Sequence, residues 1–479
     1  MNYSNKINQI ISEKQDKLIS LSNRIWEFAE TRFEEYKSAD EICNTLTEEG
    51  FTVERGVGGI ETAFIASFGS SKPVIGILGE FDALSGLSQQ EGIANYEPLV
   101  EGGNGHGCGH NLLGTASVAA AITVKNIMIE QNISGTIRYY GCPGEEGGSG
   151  KTFMVREGLF DDVDTALTWH PHSFSSVFSF SSLANYQIFF SFKGTAAHAA
   201  NSPHLGRSSL DAVELMNVGV NYLREHIIPD AKIHYAITNT GGSSPNVVQS
   251  DAEVLYLIRA PKNQELEEIY QRVVDIAKGA ALMTGTKLTV TFNKACSNYI
   301  PNHTLGNVLQ THLEDFGLPQ YSEEELHFAN LISQQISAND KQSAAQEISK
   351  ISNEHPNEIL ATLGDNPFFD TVMPFTTSRN LMLGSTDVGD VSWIVPTTQF
   401  FGSCFVAGTP LHTWQLVSQG KTSIAHKGML QAAKVLAATA LELFEKPELI
   451  QKAKVELQKQ TNGEYKSPIP KDVQPSVLK

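Results

Sequence analysis

From Pro73 to Leu78 the chain reads Pro-Val-Ile-Gly-Ile-Leu, with no polar side chain to turn towards water. A strand without a polar face has to be covered on both sides, which is the situation inside a parallel sheet. The segments around it fit that reading. Residues 62–68 are a strand candidate before it, 111–128 read as an Ala-rich helix after it, and 135–141 and 165–169 read as further strands. Strands alternating with helices build crossover units, so an α/β core is predicted. Ahead of it, Ile7, Ile11, Leu18, Leu21, Ile25 and Phe28 recur at helical spacing, in a helix expected to end near Arg32. A second helix, about residues 38–49, is expected to stop at Gly50, which can take a left-handed cap.

The pattern changes near Leu183. Strands are expected at 186–192, 233–238, 252–259 and 287–292, with helices at 210–223 and 265–283. The order βαββαβ is that of a compact ferredoxin-like α+β unit. The chain is therefore read as a larger domain in two parts, residues 1–184 and 298–479, with a small domain of residues 185–297 inserted between them. Residues 323–357, rich in Ser, Gln, Glu and Asn, read as a solvated helical excursion rather than core.

Composition narrows the partners. The 479 residues carry 35 Lys and Arg against 53 Asp and Glu, a formal net charge of -18, and no Lys/Arg-rich run. Nucleic acid and anionic membrane surfaces are not expected partners. Five scattered cysteines, Cys43, Cys108, Cys142, Cys296 and Cys404, do not make a disulfide framework. The first 25 residues mix polar side chains among the apolar ones, unlike a signal peptide. No apolar run reaches the roughly 18 residues that cross a bilayer. A cytoplasmic protein is expected.

Residues with chemistry to offer gather at predicted strand ends. Gly105-His106-Gly107-Cys108-Gly109-His110 puts a thiol and an imidazole one glycine apart just ahead of a helix. Such ligands suit zinc and its neighbours, and the glycines let backbone approach an ion, although a structural turn has the same composition. In Gly144-Glu145-Glu146-Gly147-Gly148 one carboxylate can bind a metal while its neighbour stays free to carry a proton; alone, the segment also reads as a solvated acidic turn. His170-Pro171-His172 closes a strand, where α/β sheets build their sites. Glu80-Phe81-Asp82 caps the apolar strand, and buried acids there need a cation or a metal-bound His as partner. His412 lies in Gly408-Thr409-Pro410-Leu411-His412. In the inserted segment, His198 sits among small residues, and Asn246 precedes the strand ending at Arg259. These three suit the anionic end of a substrate, or are turn residues.

Taken in this order, the motifs resemble the dinuclear metallopeptidase and amidohydrolase family of aminoacylases, succinyl-diaminopimelate desuccinylase and plant auxin-conjugate hydrolases. The match runs from about residue 17 to 445, and the segments 105–114 and 384–393 look most like the branch that acts on p-aminobenzoyl-glutamate and related acyl-amino-acid substrates. The resemblance implies a zinc-peptidase-like catalytic domain with a mixed central sheet, and a lid or dimerisation role for the inserted domain. It makes Cys108, His110, Glu146, His170 and His412 the ligands of two divalent ions, manganese or zinc, and Glu145 the general acid/base. Asp82 falls where the family has an acidic residue behind a metal-binding His; here Glu80 replaces that His, so Cys108 is the alternative ligand and Asp82 is expected to act from behind the ligands. His198 matches a lid histidine that reaches a partner's site in dimeric members, and Asn246 and Arg259 match positions that hold the substrate carboxylate. The implied reaction is hydrolysis of an N-acyl or aroyl amino acid, p-aminobenzoyl-glutamate foremost. A dipeptidase for unusual dipeptides of the β-alanyl-lysine type and a non-catalytic member of a two-chain hydrolase are the alternatives. A homodimer, or assembly with a related second chain, is expected.

Overall fold

The computed structural model describes residues 3–352, 354–377 and 380–477. Its strands are β1 (Thr52–Arg55), β2 (Phe64–Gly69), β3 (Val74–Glu80), β4 (Thr136–Cys142), β5 (Thr165–His172), β6 (Ser176–Val177), β7 (Ser181–Ser182), β8 (Ala184–Lys193), β9 (Lys232–Asn239), β10 (Asp251–Ala260), β11 (Lys287–Cys296), β12 (Leu381–Met382) and β13 (Thr397–Ser403). The helices are α1 (Ser4–Phe28), α2 (Tyr36–Glu48), α3 (His110–Gln131), α4 (Gly150–Arg156), α5 (Ser209–Leu223), α6 (Asn263–Thr284), α7 (His303–Phe316), α8 (Glu323–Ser333), α9 (Ala338–Ser352), α10 (Pro356–Leu363), α11 (Val388–Ile394), α12 (Trp414–Gln419), α13 (Ser423–Glu445) and α14 (Pro447–Thr461).

A seven-stranded mixed sheet runs in the order β1-β2-β4-β3-β5-β13-β6. Its centre, β4, β3, β5 and β13, is parallel, and the flanking strands are antiparallel. All seven residues of β3 are buried, as its sequence requires. Alternation divides them: Ile75 and Ile77 pack with Tyr139 and Leu167 against α1, α3 and α13, while Val74 and Leu78 pack with Tyr140 and Ala166 towards α4 and α11. Because the four central strands are parallel, their carboxyl ends share one edge, where such sheets place their sites. Glu80, Cys142, His172 and Ser403 mark that edge.

Between Ala184 and Cys296 the order β8-α5-β9-β10-α6-β11 forms a second, antiparallel sheet, ordered β11-β8-β10-β9. Ile188, Phe190, Val254, Tyr256 and Ile258 face Val213, Met216, Val220, Ile269 and Val273 of its two helices, and this core is continuous with the α4 side of the large sheet. The strand β9 is an edge, and most of its residues are exposed.

Three expectations change. The first helix stops at Phe28, not near Arg32, because Ala29 turns left-handed (φ 43°) and donates its N–H to Ile25 O. The segment 323–357 is helical, but not merely solvated. Ala329, Ile332 and Ile336 are buried against Val406, Ile424 and Phe368, and Ala345, Ile348 and Ile351 join the main core. Polar residues dilute these stripes in the composition, while the three-to-four-residue spacing still buries one face. Asn353 lies outside the described residues. Finally, α3 is long and apolar enough, at mean hydropathy 1.6, to cross a membrane by length and composition, yet 89% of its most apolar window is buried inside the fold.

Ile77, fully buried at the sheet centre, tests this core. Replacing it by Ala is expected to cost about 2–5 kcal/mol, read as a lower denaturant midpoint with an unchanged transition slope.

Candidate metal centre

Each parallel strand delivers part of one cluster to the carboxyl edge. After β3 come Glu80 and Asp82; after β4, Glu145 and Glu146; β5 carries His170; the chain after β13 brings His412; and the loop before α3 brings Cys108 and His110. Cys108, His110 and His170 offer donor atoms all within 4.8 Å of one another, as do Cys108, Glu146 and His412. Cys108 belongs to both sets, its Sγ 3.3 Å from His170 Nε2. A third set, Glu80, His110 and Glu145, shares His110. The two adjacent carboxylates thus face different neighbours: Glu146 approaches Cys108 and His412, Glu145 approaches His110 and Glu80.

The surroundings fix the imidazoles. His110 Nδ1 lies 3.0 Å from Asp82 Oδ1, and His170 Nδ1 lies 2.8 Å from the carbonyl of Pro171. With a metal bound, each acceptor would take the Nδ1 proton and leave Nε2 as the ligand atom, the arrangement usual behind metal-bound histidines. His110 Nε2 is buried among the donors, 3.3 Å from Glu80 Oε2. His412 adopts a left-handed φ of 59°, uncommon outside glycine, and its N–H donates to Gly107 O at 2.7 Å. Its Nε2 comes within 3.3 Å of Glu146 Oε1. One thiol, three imidazoles and a carboxylate converging on one buried spot fit divalent cations of the zinc and manganese kind.

Electrostatics sharpen the picture. Burial, and then the charge of Glu146, push the Cys108 thiol well above its ordinary range; a divalent cation among these donors would offset both. Burial works against His110 charging, but its bonds to Asp82 and Cys108 outweigh it and hold the imidazole well above its usual value. His170 is held down to about 4 by burial and by His110. Burial would raise Glu146, yet the His412 contact and the charge of His110 keep it below the usual carboxylate range. Glu145 goes the other way: burial, then Glu80 and Asp387, push it well up. The two adjacent carboxylates are thus shifted in opposite directions.

Asp82 stands behind the donors. Its Oδ1 meets His110 and its Oδ2 accepts the Glu146 N–H at 2.9 Å. Glu80 is held by a lysine that no sequence motif singled out. Lys151 Nζ, 0% exposed, lies 2.7 Å from Glu80 Oε1 and 2.6 Å from Asp387 Oδ1. The need of a buried acid pair for partners was legible; that Lys151 and Asp387, 71 and 307 residues beyond Glu80, supply them was not.

The remaining predicted residues divide. Arg259, near the end of β10, donates to Ser385 Oγ at 3.1 Å, its buried Nε has no hydrogen-bond partner, and the charge of Glu145 acts on it. His198 and Asn246 are exposed and adjacent: His198 bridges Val247, and Ala199 N donates to Asn246 O at 2.9 Å. His198 Nδ1 accepts the N–H groups of Ala200 and Asn201. Among the described residues, no hydrogen bond or ion pair joins His198 or Asn246 to the metal-ligand cluster.

Comparison with known proteins agrees with this geometry. Residues 76–335 match the profile of peptidase family M20/M25/M40. The chain is 55% identical to the B subunit of p-aminobenzoyl-glutamate hydrolase from Escherichia coli K12 over 474 residues, 99% of this chain and 98% of that one. It is 28% identical to the Xaa-Arg dipeptidase of Mus musculus, over 92% of this chain and 89% of that one. A crystal structure of a dinuclear metal-binding peptidase of family M20 from Bacillus subtilis shares the fold, with a TM-score of 0.54 at 16% identity, covering 91% of this chain and 99% of that one. Matched over more than half its length by the family profile, and over nearly all of it by a relative at 55% identity, the chain belongs to peptidase family M20/M25/M40 and is a hydrolase of amide bonds.

Proposed function

We propose that the chain cleaves the amide bond of N-acyl or aroyl amino acids, with p-aminobenzoyl-glutamate the foremost substrate, releasing p-aminobenzoate and glutamate. The observation that carries the chemistry is the division between the adjacent carboxylates, Glu146 turned to Cys108 and His412 and Glu145 to His110 and Glu80. The substrate is supported by the name of the 55% identical relative. A second reading, hydrolysis of a dipeptide with a basic residue, is favoured by the similarity to an Xaa-Arg dipeptidase.

In this reading Cys108, His110, Glu146, His170 and His412 hold two divalent ions, manganese or zinc. When bound, such a pair acidifies a water towards neutrality and polarises a carbonyl. Glu145 accepts the proton of the attacking water and passes it to the departing amine. Asp82 holds His110 in the tautomer that presents Nε2. Arg259 grips the substrate carboxylate in a charge-assisted fork, joined by Asn246, and His198 steadies the developing oxyanion.

His198 acts from a partner. Residues 185–297 serve as a lid and dimerisation domain between catalytic segments 1–184 and 298–479. Leu215, Val218 and Tyr222 make an exposed apolar stripe on α5, and Tyr235 and Ile237 are exposed on the edge strand β9, which supports assembly of two copies or pairing with a related chain. The relative's designation as one subunit of a hydrolase is in keeping with the second arrangement. All five cysteines are free, which supports a reducing, cytoplasmic setting.

Chelation is expected to abolish glutamate release from p-aminobenzoyl-glutamate by the purified chain, and manganese or zinc to restore it; a chain that holds two metal ions yet releases none has another substrate or lacks its partner. Glu145→Gln should keep its metal while turnover falls roughly 10²- to 10⁴-fold, so near-normal turnover removes Glu145 from the proton transfers. His198→Ala should lower kcat by about 10²-fold or more with metal content unchanged, and an unaltered kcat counts against an oxyanion role.

A further inference from the structure

Between α1 and α2, residues 29–35 cross the carboxyl edge of the large sheet as a strap. It is stitched to the residue after Asp82: Ala83 N donates to Glu30 O at 2.8 Å, and Thr31 pairs with Ala83. Its far end reaches the other half of the metal centre. Glu35, fully buried, accepts the Gly144 N–H at Oε1 and the Thr62 hydroxyl at Oε2, each at 2.9 Å. Between these anchors Phe33 is held at a φ of 63°, a conformation that persists only where the surroundings impose it. Its ring fills the space where a Cβ on Gly144 or Gly148 would sit, 2.8 and 2.5 Å from the nearest ring atoms. Arg32, 5% exposed, lies against Gly147, and its charge meets that of Asp82.

The Glu145 loop is thus held by three amides on three carboxylates: Gly144 N on Glu35, Glu146 N on Asp82 and Lys151 N on Asp387. Asp82 also meets His110, and Asp387 also meets Lys151. Among the described residues Glu35 makes no hydrogen bond or ion pair to the donors or to Lys151; its carboxyl feels the charge of Asp82, and its hydrogen bond towards the reaction runs through the amide preceding Glu145. A buried carboxylate is costly where an apolar side chain would pack as well, so its place there calls for a purpose.

We infer that Glu35 is a positioning residue for amide hydrolysis: by fixing the Gly144 amide it sets the orientation in which Glu145 meets the attacking water. This rests on the amidohydrolase reading above. The test uses the full chain, loaded with metal, as Glu35→Ala and Glu35→Gln, with kcat, KM and bound metal measured on p-aminobenzoyl-glutamate, or on whichever N-acyl amino acid the unaltered chain cleaves fastest. Amide exchange of the peptide spanning residues 143–149 is followed in the metal-free protein. Glu35→Ala should lower kcat roughly 10- to 100-fold with KM and metal within about threefold, the scale of a misplaced catalytic group, and should speed exchange of that peptide. Glu35→Gln keeps an acceptor for Gly144 and should recover kcat to within about threefold and restore the protection. A Glu35→Ala chain with kcat within about twofold of normal, an exchange rate that does not move, or a loss of kcat that tracks lost metal overturns the positioning role. An unaltered chain that binds metal but cleaves no N-acyl amino acid, alone or together with the related second chain, overturns the amidohydrolase reading, and this inference with it.

Discussion

Glu35, Glu80, Asp82 and Asp387 are each 2% exposed or less, and all four lie at or beside the carboxyl edge of one sheet. Burial favours the neutral carboxyl, pushing Glu35 up to about 8 and Glu80 above the usual carboxylate range, so each acid that stays ionised here needs a compensating charge or hydrogen bonds. Lys151 is committed to Glu80 and Asp387, and Arg32 faces Asp82 without a hydrogen bond from its Nε or Nη2. The remaining compensation comes from backbone amides and His110, and it leaves Glu145 and Glu146 beside a concentration of negative charge. A donor cluster built this way is shaped for cations of charge two.

How each acid is settled follows from what lies next to it. Asp390, one turn along α11 from Asp387, is fully buried yet meets no cation. It accepts from Thr152 Oγ1, from the amide and hydroxyl of Ser297 and from the Tyr465 hydroxyl, all between 2.6 and 2.9 Å, which ties α4, the exit of β11 and the C-terminal tail together. Asp387 instead takes the Lys151 ammonium and the Lys151 amide. The first joins structural elements through uncharged donors. The second is a charged one that sits directly behind Glu145 and, with Glu80, raises the affinity of that carboxyl for a proton. The same side-chain type has been put to structural use on one helical turn and to electrostatic use on the next.

The apolar run of β3, the crossover pattern and the βαββαβ order of the inserted unit were legible because each is a local periodicity. The clusters at 106–110, 145–146 and 170–172 were legible because glycines and ligand-type residues stand side by side. Glu35 and Lys151 were not, since a single acid or lysine on an unremarkable stretch carries no signal until folding brings it 109 or 71 residues along the chain to Gly144 or Glu80; Asp387 stood inside the recognisable segment 384–393, but its pairing with Lys151, 236 residues away, was not legible. The buried faces of α8 and α9 were hidden for a related reason: Ile332, Ile336, Ile348 and Ile351 are few, and Gln, Ser and Asn between them dominate the composition. Pattern reports the environment of a segment, while long-range pairing reports only on the finished fold.

The glycines of the Glu145 loop show how tightly the two are coupled. Gly144 has a φ of 68°, which favours glycine on backbone grounds, but Gly148 is required by a neighbour, since a Cβ there would collide with the Phe33 ring. Read alone, Gly144-Glu145-Glu146-Gly147-Gly148 suggests a pliable acidic turn. Packed beneath the strap, the same glycines let an aromatic ring and a buried carboxylate come close enough to immobilise it. By contrast His198 and Asn246 are exposed on the inserted unit, with no counterpart to that clamping. Close packing is thus concentrated around the loop that carries Glu145, and exposure on the turn that carries His198 and Asn246.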